Sequence, residues 1–583
     1  MALDTIVADT AAEAYLELLR DRGVDYFFGN GGTDFASIVD AFAKFASQGK
    51  SRPKPILAPH EMTAVSMAHG YTMVTGRPQV VMVHVIVGTA NALAGIMNAS
   101  RQNVPMLFSA GRTPLTEQGF KGSRDAHIHW AQESFDQGAI VREFVKWDYE
   151  LRNAAQLETV VDRALTLATA EPAGPVYLSL PREVLAEPVG PFAFHSPSRK
   201  PGRSLRYPDP HDVDRAAEVL AAARRPLIIT GALGRDPQAV PALVALAETG
   251  ALPVVEPSRT YLNFPADHPL HLGYDAGPYL PDADAVLVIE HDAPWFPSRV
   301  RMREDAQTVH LGVDPYYSRY PIRGYPQDVT LAGTPAAALP ALQAALAERI
   351  QAGDPALQER RGRIARDHEL QCQARRADAE RASRERPINP VWVSHCVNAV
   401  LDEAAIVVNE YDLVPSQTTL RVPGSFFGNS PASGLGWALG AALGAKLAAP
   451  EKTVIATVGD GSYMFNAPTS AHFVSRAQGL PFLTVVFNNQ CWNAVRRAAK
   501  SLEPDGWAVG TNTFSFCDLL PSPAFEKMME AHGGYGERVE DPAEVPRALE
   551  RALRAVREEG RQALLNVICK HPGMESGGGI DRR

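Results

Sequence analysis

Two apolar runs in the last third of the chain each stop on a short polar motif. Val454 to Val458 ends on Gly459, Asp460, Gly461 and Ser462, and Phe482 to Phe487 ends on Asn488 and Asn489. Runs of this kind, about one βαβ unit apart, suit buried strands of a parallel α/β sheet. Their carboxyl ends then face a common crevice. Asp460 and Asn489 meet there as oxygen donors suited to a hard divalent cation such as Mg²⁺. Gly459 and Gly461 let backbone N–H groups close on an anion, and a helix is predicted to start after Ser462. The combination reads as a magnesium-diphosphate site. Taken alone, a Gly-Asp-Gly is also an ordinary turn after a strand.

The rest of the chain has room for such a site several times over. At 583 residues it exceeds a single core, and its length suggests about three or four domains. Residues 1–190 alternate helical patterns with short apolar runs at Asp25 to Phe28, Gln79 to Val85, Met106 to Ala110 and Gly174 to Pro181. Such alternation predicts parallel α/β architecture. Glu187 to Asp209, rich in Pro, Ser and basic residues, reads as a linker. A second α/β block spans 205–345, with runs at Pro226, Leu252, Ala285 and Thr308. Residues 350–387 are highly charged and read as a solvated connecting helix. A third block, 388–570, carries the opening motif, and the glycine-rich tail 571–583 is expected to be disordered. The expected fold is therefore α/β, with three doubly wound parallel-sheet domains.

Composition removes several classes of function. A net charge of −9 gives no sign of nucleic-acid or anionic-membrane binding. Five scattered cysteines without a CxxC pair suggest neither disulfides nor a zinc site, and point to a reducing cytoplasm. No signal peptide or membrane-spanning apolar stretch is legible.

The first block holds a second candidate site. Ala64, Met67, Ala68 and Tyr71 fall at helical spacing, which places Glu61 at the mouth of an apolar helix. There the helix dipole favours a carboxylate, and simple capping is the bland alternative. With His60-Glu61…His69-Gly70-Tyr71…Thr75-Gly76-Arg77-Pro78 in one half and Gly-Asp-Gly…Asn-Asn in the other, the chain resembles the thiamine diphosphate enzymes of the decarboxylase and acetohydroxyacid synthase superfamily. The resemblance runs from about residue 8 to 570.

That resemblance implies a pyrimidine-binding, a central and a diphosphate-binding domain. It implies that Glu61 hydrogen-bonds the aminopyrimidine ring and promotes the thiazolium ylid that attacks a carbonyl, with the cofactor as electron sink. It implies Mg²⁺ on Asp460, Asn489 and the carbonyl of Cys491, and cofactor contacts from Asn91, Gly434, Leu435, Gly459, Gly461, Ser462 and Trp492. Phe28-Gly-Asn-Gly-Gly-Thr-Asp is similar to a substrate-contacting loop of benzoylformate decarboxylase, which puts the Thr33 hydroxyl at a substrate carboxylate. His84, at a strand end, matches a catalytic His of that enzyme, and His127 and His129 offer two further imidazoles. No counterpart exists for its second catalytic His, because Phe296 or Pro297 stands there. Arg112 replaces a Gln of the synthases, and the usual Ser or Thr diphosphate contacts are missing near Asn409 to Asp412.

The implied activity is that of a 2-oxo acid decarboxylase or carboligase. Acetolactate-type carboligation, 2-hydroxyacyl-CoA cleavage and a non-catalytic cofactor-binding subunit are the alternatives. FAD is admissible in the central domain, but no residue pattern indicates it. The implied partners are a small 2-oxo acid, aldehyde or acyl substrate and a second copy of the chain. A homodimer or homotetramer with active sites at subunit interfaces follows.

Overall fold

A computed structural model describes residues 2–199, 204–351 and 353–572. The tail expectation therefore lies outside the described residues beyond Pro572. Three parallel sheets carry the chain, as the alternation of runs predicts. The first has six strands, ordered Lys54–Leu57, Tyr26–Asn30, Val80–Val83, Met106–Arg112, Pro175–Pro181, Asp148–Glu150. The third also has six: Phe426–Gly428, Ala405–Glu410, Thr453–Gly459, Leu483–Asn488, Ala563–Ile568, Tyr535–Val539. Counted along the chain, both sheets follow the order 2-1-3-4-6-5. Each reverses direction between its first and third strands, and that is where open α/β sheets bind ligands.

The central sheet has five strands, ordered Val254–Val255, Pro226–Thr230, Ala285–Ile289, Gln307–Gly312, Val329–Ala332. Its last strand was not legible in sequence. The central strands of all three sheets are buried on both faces, which explains why they read as continuous apolar runs.

Two sequence expectations need correction. The supposed linker after residue 187 begins with a nine-residue strand, Pro188–Ser196, paired antiparallel to Ala2–Thr10. Prolines and Gly190 mask its period, yet Phe192 and Phe194 alternate inward on the core of the first block while Ala193 faces out. The charged connector is indeed a helix, Pro355–Ala382, opened by the Asp354 side chain. It is not simply solvated. Ile364, His368, Ala379 and Ala382 are buried, Arg360 donates to the Ala223 and Gly250 carbonyls, and Arg375 donates to Ser416. The helix therefore staples the central block to the third.

The first and third blocks share one apolar core. Met62, Val65, Ile96 and Phe108 pack in the same cluster as Trp437, Leu439, Leu443 and Val454. At its centre the helix Glu61–Thr75 lies against the helix Ala438–Ala448. A Cβ on Gly70 would come within 2.1 Å of the Ala441 carbonyl oxygen, and one on Gly444 within 2.1 Å of the Met67 oxygen. The glycines let the two backbones touch, which fixes where Glu61 begins its helix.

Candidate active site

Glu61 is the first residue of its helix and 9% exposed. The preceding residue, His60, caps the helix by accepting from Met62 N at 3.2 Å, so the carboxylate is free of that task. Asn30 Nδ2 donates to one Glu61 oxygen at 2.8 Å and Asn91 Nδ2 to the other at 2.5 Å. Asn30 ends the first strand of its sheet and Asn91 ends the short helix that follows His84. Asn91, expected at the cofactor, is placed here as a partner of Glu61. Asn30 was missed, although it lies inside the quoted glycine-rich segment.

His84 follows the third strand of the same sheet. Its Nδ1 is 2.6 Å from Asp34 Oδ1. That hydrogen bond raises the imidazole pKa, helped by the Asp34 charge, Gln132 and Glu61 and opposed by burial. Thr33 and Asp34 share one short turn, and Thr33 Oγ1 lies 3.4 Å from His129 Nε2. His129 is buried, and burial lowers its pKa. His127 is exposed and makes no hydrogen bond or ion pair with this group among the described residues, so the structure brings together His84, Thr33 and His129 but leaves His127 apart. Arg112 is consumed by Glu133 at 2.7 Å and Glu150 at 3.2 Å, which makes it a brace of the 130–134 stretch. Phe296 is 51% exposed on the central block.

The second cluster forms at the switch point of the third sheet. Asp460 is 3% exposed and begins the helix Asp460–Phe465, three residues earlier than a start after Ser462. Its oxygens accept from Gly461 N at 2.8 Å and Gln490 N at 2.6 Å, with no cationic partner among the described residues. Burial pushes its pKa up to about 6, and half-buried Asp412 adds to the rise. Asp412 itself is pushed up to about 6 by burial, with Arg497 acting the other way. A Cβ on Gly459 would lie 2.8 Å from the Asp412 carboxylate, and one on Gly461 would lie 2.3 Å from the Trp492 ring.

Asn489 Oδ1 accepts from Cys491 N at 2.9 Å, and the Cys491 carbonyl accepts from Asn493 N at 2.8 Å. Each of these oxygens keeps a second lone pair. Burial pushes the Cys491 thiol up to about 12, so the loop offers its carbonyl rather than a thiolate. A buried, unpaired carboxylate beside two further oxygen donors is a donor set that fits a hard divalent cation. Ser462 is buried within the same turn, its Oγ close to Gly459.

The absent Ser or Thr contacts near residue 410 have an explanation. Glu410 is buried and accepts from the N–H groups of Gly436, Trp437 and Ala438 and from Asn466 Nδ2. It anchors the start of the helix that packs on the Glu61 helix. Burial drives its pKa up to about 7 against those four donors, which favour the ionised form. Gly434 is tethered on both sides by Asn98, at 2.8 and 3.0 Å, and half-buried Leu435 follows on that held loop.

Family models of the thiamine pyrophosphate enzymes match in all three blocks: the N-terminal TPP binding domain over residues 9–140, the central domain over 213–342 and the C-terminal TPP binding domain over 414–567. The chain belongs to this family. It is an enzyme of the thiamine diphosphate-dependent decarboxylase and carboligase class. Its relatives include the probable 2-ketoarginine decarboxylase AruI of Pseudomonas aeruginosa, 29% identical over 94% of this chain and 91% of that protein. Benzoylformate decarboxylase of the same organism is 27% identical over 90% and 94%. The acetolactate synthase isozyme 3 large subunit of Escherichia coli is 24% identical over 98% of each. Among solved structures, the 4-hydroxybenzoylformate decarboxylase of Rhodococcus jostii superposes with a TM-score of 0.75 at 23% identity, covering 97% of this chain and all of that one, which shows the shared fold.

The central sheet of this thiamine pyrophosphate enzyme ends differently from its neighbours. Asn263 Oδ1 accepts from Gly234 N at 2.9 Å, and His291 packs within 3.0 Å of a Cβ placed on Gly231. Arg235 turns away to Glu171 of the first block at 3.0 Å. Among the described residues, no helix is long and apolar enough to cross a membrane.

Proposed function

We propose that this enzyme is a thiamine diphosphate- and magnesium-dependent 2-oxo acid decarboxylase or carboligase. The first, central and third blocks serve as pyrimidine-binding, central and diphosphate-binding domains. The observation that carries this reading is the grouping at Glu61, a carboxylate held by Asn30 and Asn91 in the electrostatic reach of His84. A carboxylate so gripped is aimed for proton sharing with a bound ring. Thr33 and His129, joined at 3.4 Å, stand ready for the charge and protons of a substrate.

Asp460, Asn489 and the Cys491 carbonyl would hold Mg²⁺, and Gly459, Gly461 and Ser462 would lie along the diphosphate. Leu435 and Trp492 would support the cofactor from their braced loops. Once bound, thiamine diphosphate supplies the nucleophilic carbon and the electron sink. The partners of Glu61 all come from the first block and those of Asp460 all from the third, and no hydrogen bond or ion pair among the described residues joins the two clusters. That supports a site completed by a second copy of the chain. The relatives named for acting on 2-ketoarginine and benzoylformate support a 2-oxo acid substrate.

The test is CO₂ release from pyruvate, benzoylformate, phenylpyruvate and oxalyl-CoA, with and without thiamine diphosphate and Mg²⁺. Release should require both, and Glu61→Gln should nearly abolish it while leaving the fold intact. Full activity in Glu61→Gln would overturn the role of Glu61. Cofactor binding without CO₂ from any of these acids would overturn the decarboxylase reading.

A further inference from the structure

Asp34 has no part in the chemistry so far, yet its surroundings are built around it. It is 3% exposed, its Oδ1 meets His84 Nδ1 at 2.6 Å, and its Oδ2 accepts from Val85 N at 3.4 Å. Two glycines with ordinary backbone angles make the room. A Cβ on Gly111 would fall 1.9 Å from the Asp34 carboxylate, and a Cβ on Gly32 would fall 2.1 Å from His84 Nδ1. Neither glycine is required by a turn. Each is a space that the acid or the imidazole fills. Val85, directly after His84, sits at φ 34°, a left-handed conformation costly for a β-branched residue. Strain of that kind persists only where neighbouring contacts hold it, and Asp34 contacts both the ring and the strained residue's N–H.

We infer that Asp34 is a positioning residue of the reaction: it holds the His84 imidazole by Nδ1 and leaves Nε2 as the nitrogen that passes protons to and from the substrate. The inference rests on the 2-oxo acid reading above. The bond fixes which nitrogen carries the permanent proton and prevents the ring from flipping. A proton taken up at Nε2 is stabilised by the buried carboxylate. When Nε2 delivers it to the substrate, the ring returns to neutral with Nδ1–H still donating to Asp34. The other groups acting on His84 are Glu61, which also favours its charge, Gln132, whose amide does the same, and His129, whose own titration feels the His84 charge. Thr33, beside Asp34 in one turn, serves His129, so adjacent residues orient two imidazoles.

The experiment follows the rate of carbethoxylation of the peptide carrying His84 by mass spectrometry across pH, in protein loaded with thiamine diphosphate and Mg²⁺. Exposed His211 is the internal reference. In the wild type the midpoint for His84 should lie above that for His211, and in Asp34→Asn and Asp34→Ala it should fall. A wild-type midpoint at or below His211, or one unmoved in the variants, overturns the proposal. The first comparison needs no variant, so it stands even if the substitutions fail to fold. Neither comparison needs turnover, so a failure here is distinct from a failure of the substrate reading. On whichever 2-oxo acid is turned over, Asp34→Ala should lower kcat about 100-fold with little change in KM. The limb of the pH profile that His84→Ala removes should move to lower pH. A lower kcat with that limb unmoved would mean a merely structural role and would also overturn the proposal.

Discussion

Asp460 and Asp412 place two carboxylates at one switch point, with Arg497 opposing the rise at Asp412, an arrangement that costs free energy and that a bound cation would relieve. The sign of the resulting pH dependence follows from the shifts. Both groups are raised from 3.8 to about 6 in the folded chain. The folded state therefore binds more protons between those values, and stability falls as pH rises through them. For 3%-exposed Asp460 this amounts to on the order of 3 kcal/mol above about pH 6. Cofactor-free Asp460→Asn should consequently melt higher than the wild type at pH 8. With thiamine diphosphate and Mg²⁺ present the order should reverse. Thermal scans with and without the ligands check both halves.

His84 gives the same sign for the opposite reason, since here it is the charged form that the fold favours. Its pKa is raised by its Asp34 partner, so the ion pair stabilises fully below the unfolded histidine value and is lost as pH rises through the folded one. Asp34→Asn should destabilise the protein at pH 6 more than at pH 9, a difference that urea melts at the two pH values will measure.

Among the elements, the two helices that touch through glycine form a rigid link between half-sites. Glu410 holds the start of Ala438–Ala448, and that helix locates Glu61–Thr75 and so Glu61. Gly70→Ala should gain about 1 kcal/mol in helix propensity yet lose about 1–3 kcal/mol to overpacking against the Ala441 carbonyl. A net loss is expected, together with weaker cofactor binding, and denaturant melts with cofactor titration read both.

The segment from Glu503 to Phe516 makes a second element-scale case. Its return is laced to the loop after Asn489, with Trp492 N donating to Cys517 and Leu519 N to Gln490, while Trp507 and Phe516 are 89% and 95% exposed. Lys500 to Pro523 is longer than a tight connection, and whether it acts as an active-site lid or packs at a subunit contact is separable by hydrogen exchange. A lid should gain amide protection over 503–516 on binding thiamine diphosphate and Mg²⁺, whereas a subunit contact should be protected already.

For the whole molecule, the sheets of the first and third blocks share one strand order, so the candidate residues occupy corresponding places. His84 and Asp460 both follow a third strand, and Asp34 and Asp412 both lie just beyond a first strand. One sheet end carries an imidazole–carboxylate pair and the other a set of oxygen donors that would suit a cation. If each site takes one end from each of two chains, Glu61→Gln and Asp460→Ala should complement. Mixing and refolding the two inactive variants together should then restore about a quarter of wild-type activity, because half of random dimers carry one intact site. No recovery would mean that each chain completes its own site.

The sequence by itself determined what is local. The Gly-Asp-Gly and Asn-Asn motifs, and the helix headed by Glu61, are contiguous runs whose chemistry and strand-end placement depend on near neighbours alone. Apolar runs buried on both faces revealed the parallel sheets for the same reason. Tertiary structure alone decided the pairings. Asn30 and Asn91 grip Glu61 from two different elements, Asp34 reaches His84 across 50 residues, and Glu410 serves a helix start. Which acid meets which partner depends on strand order and on the gaps left by Gly32, Gly70 and Gly111. No local pattern encodes a gap, because its occupant comes from elsewhere in the fold.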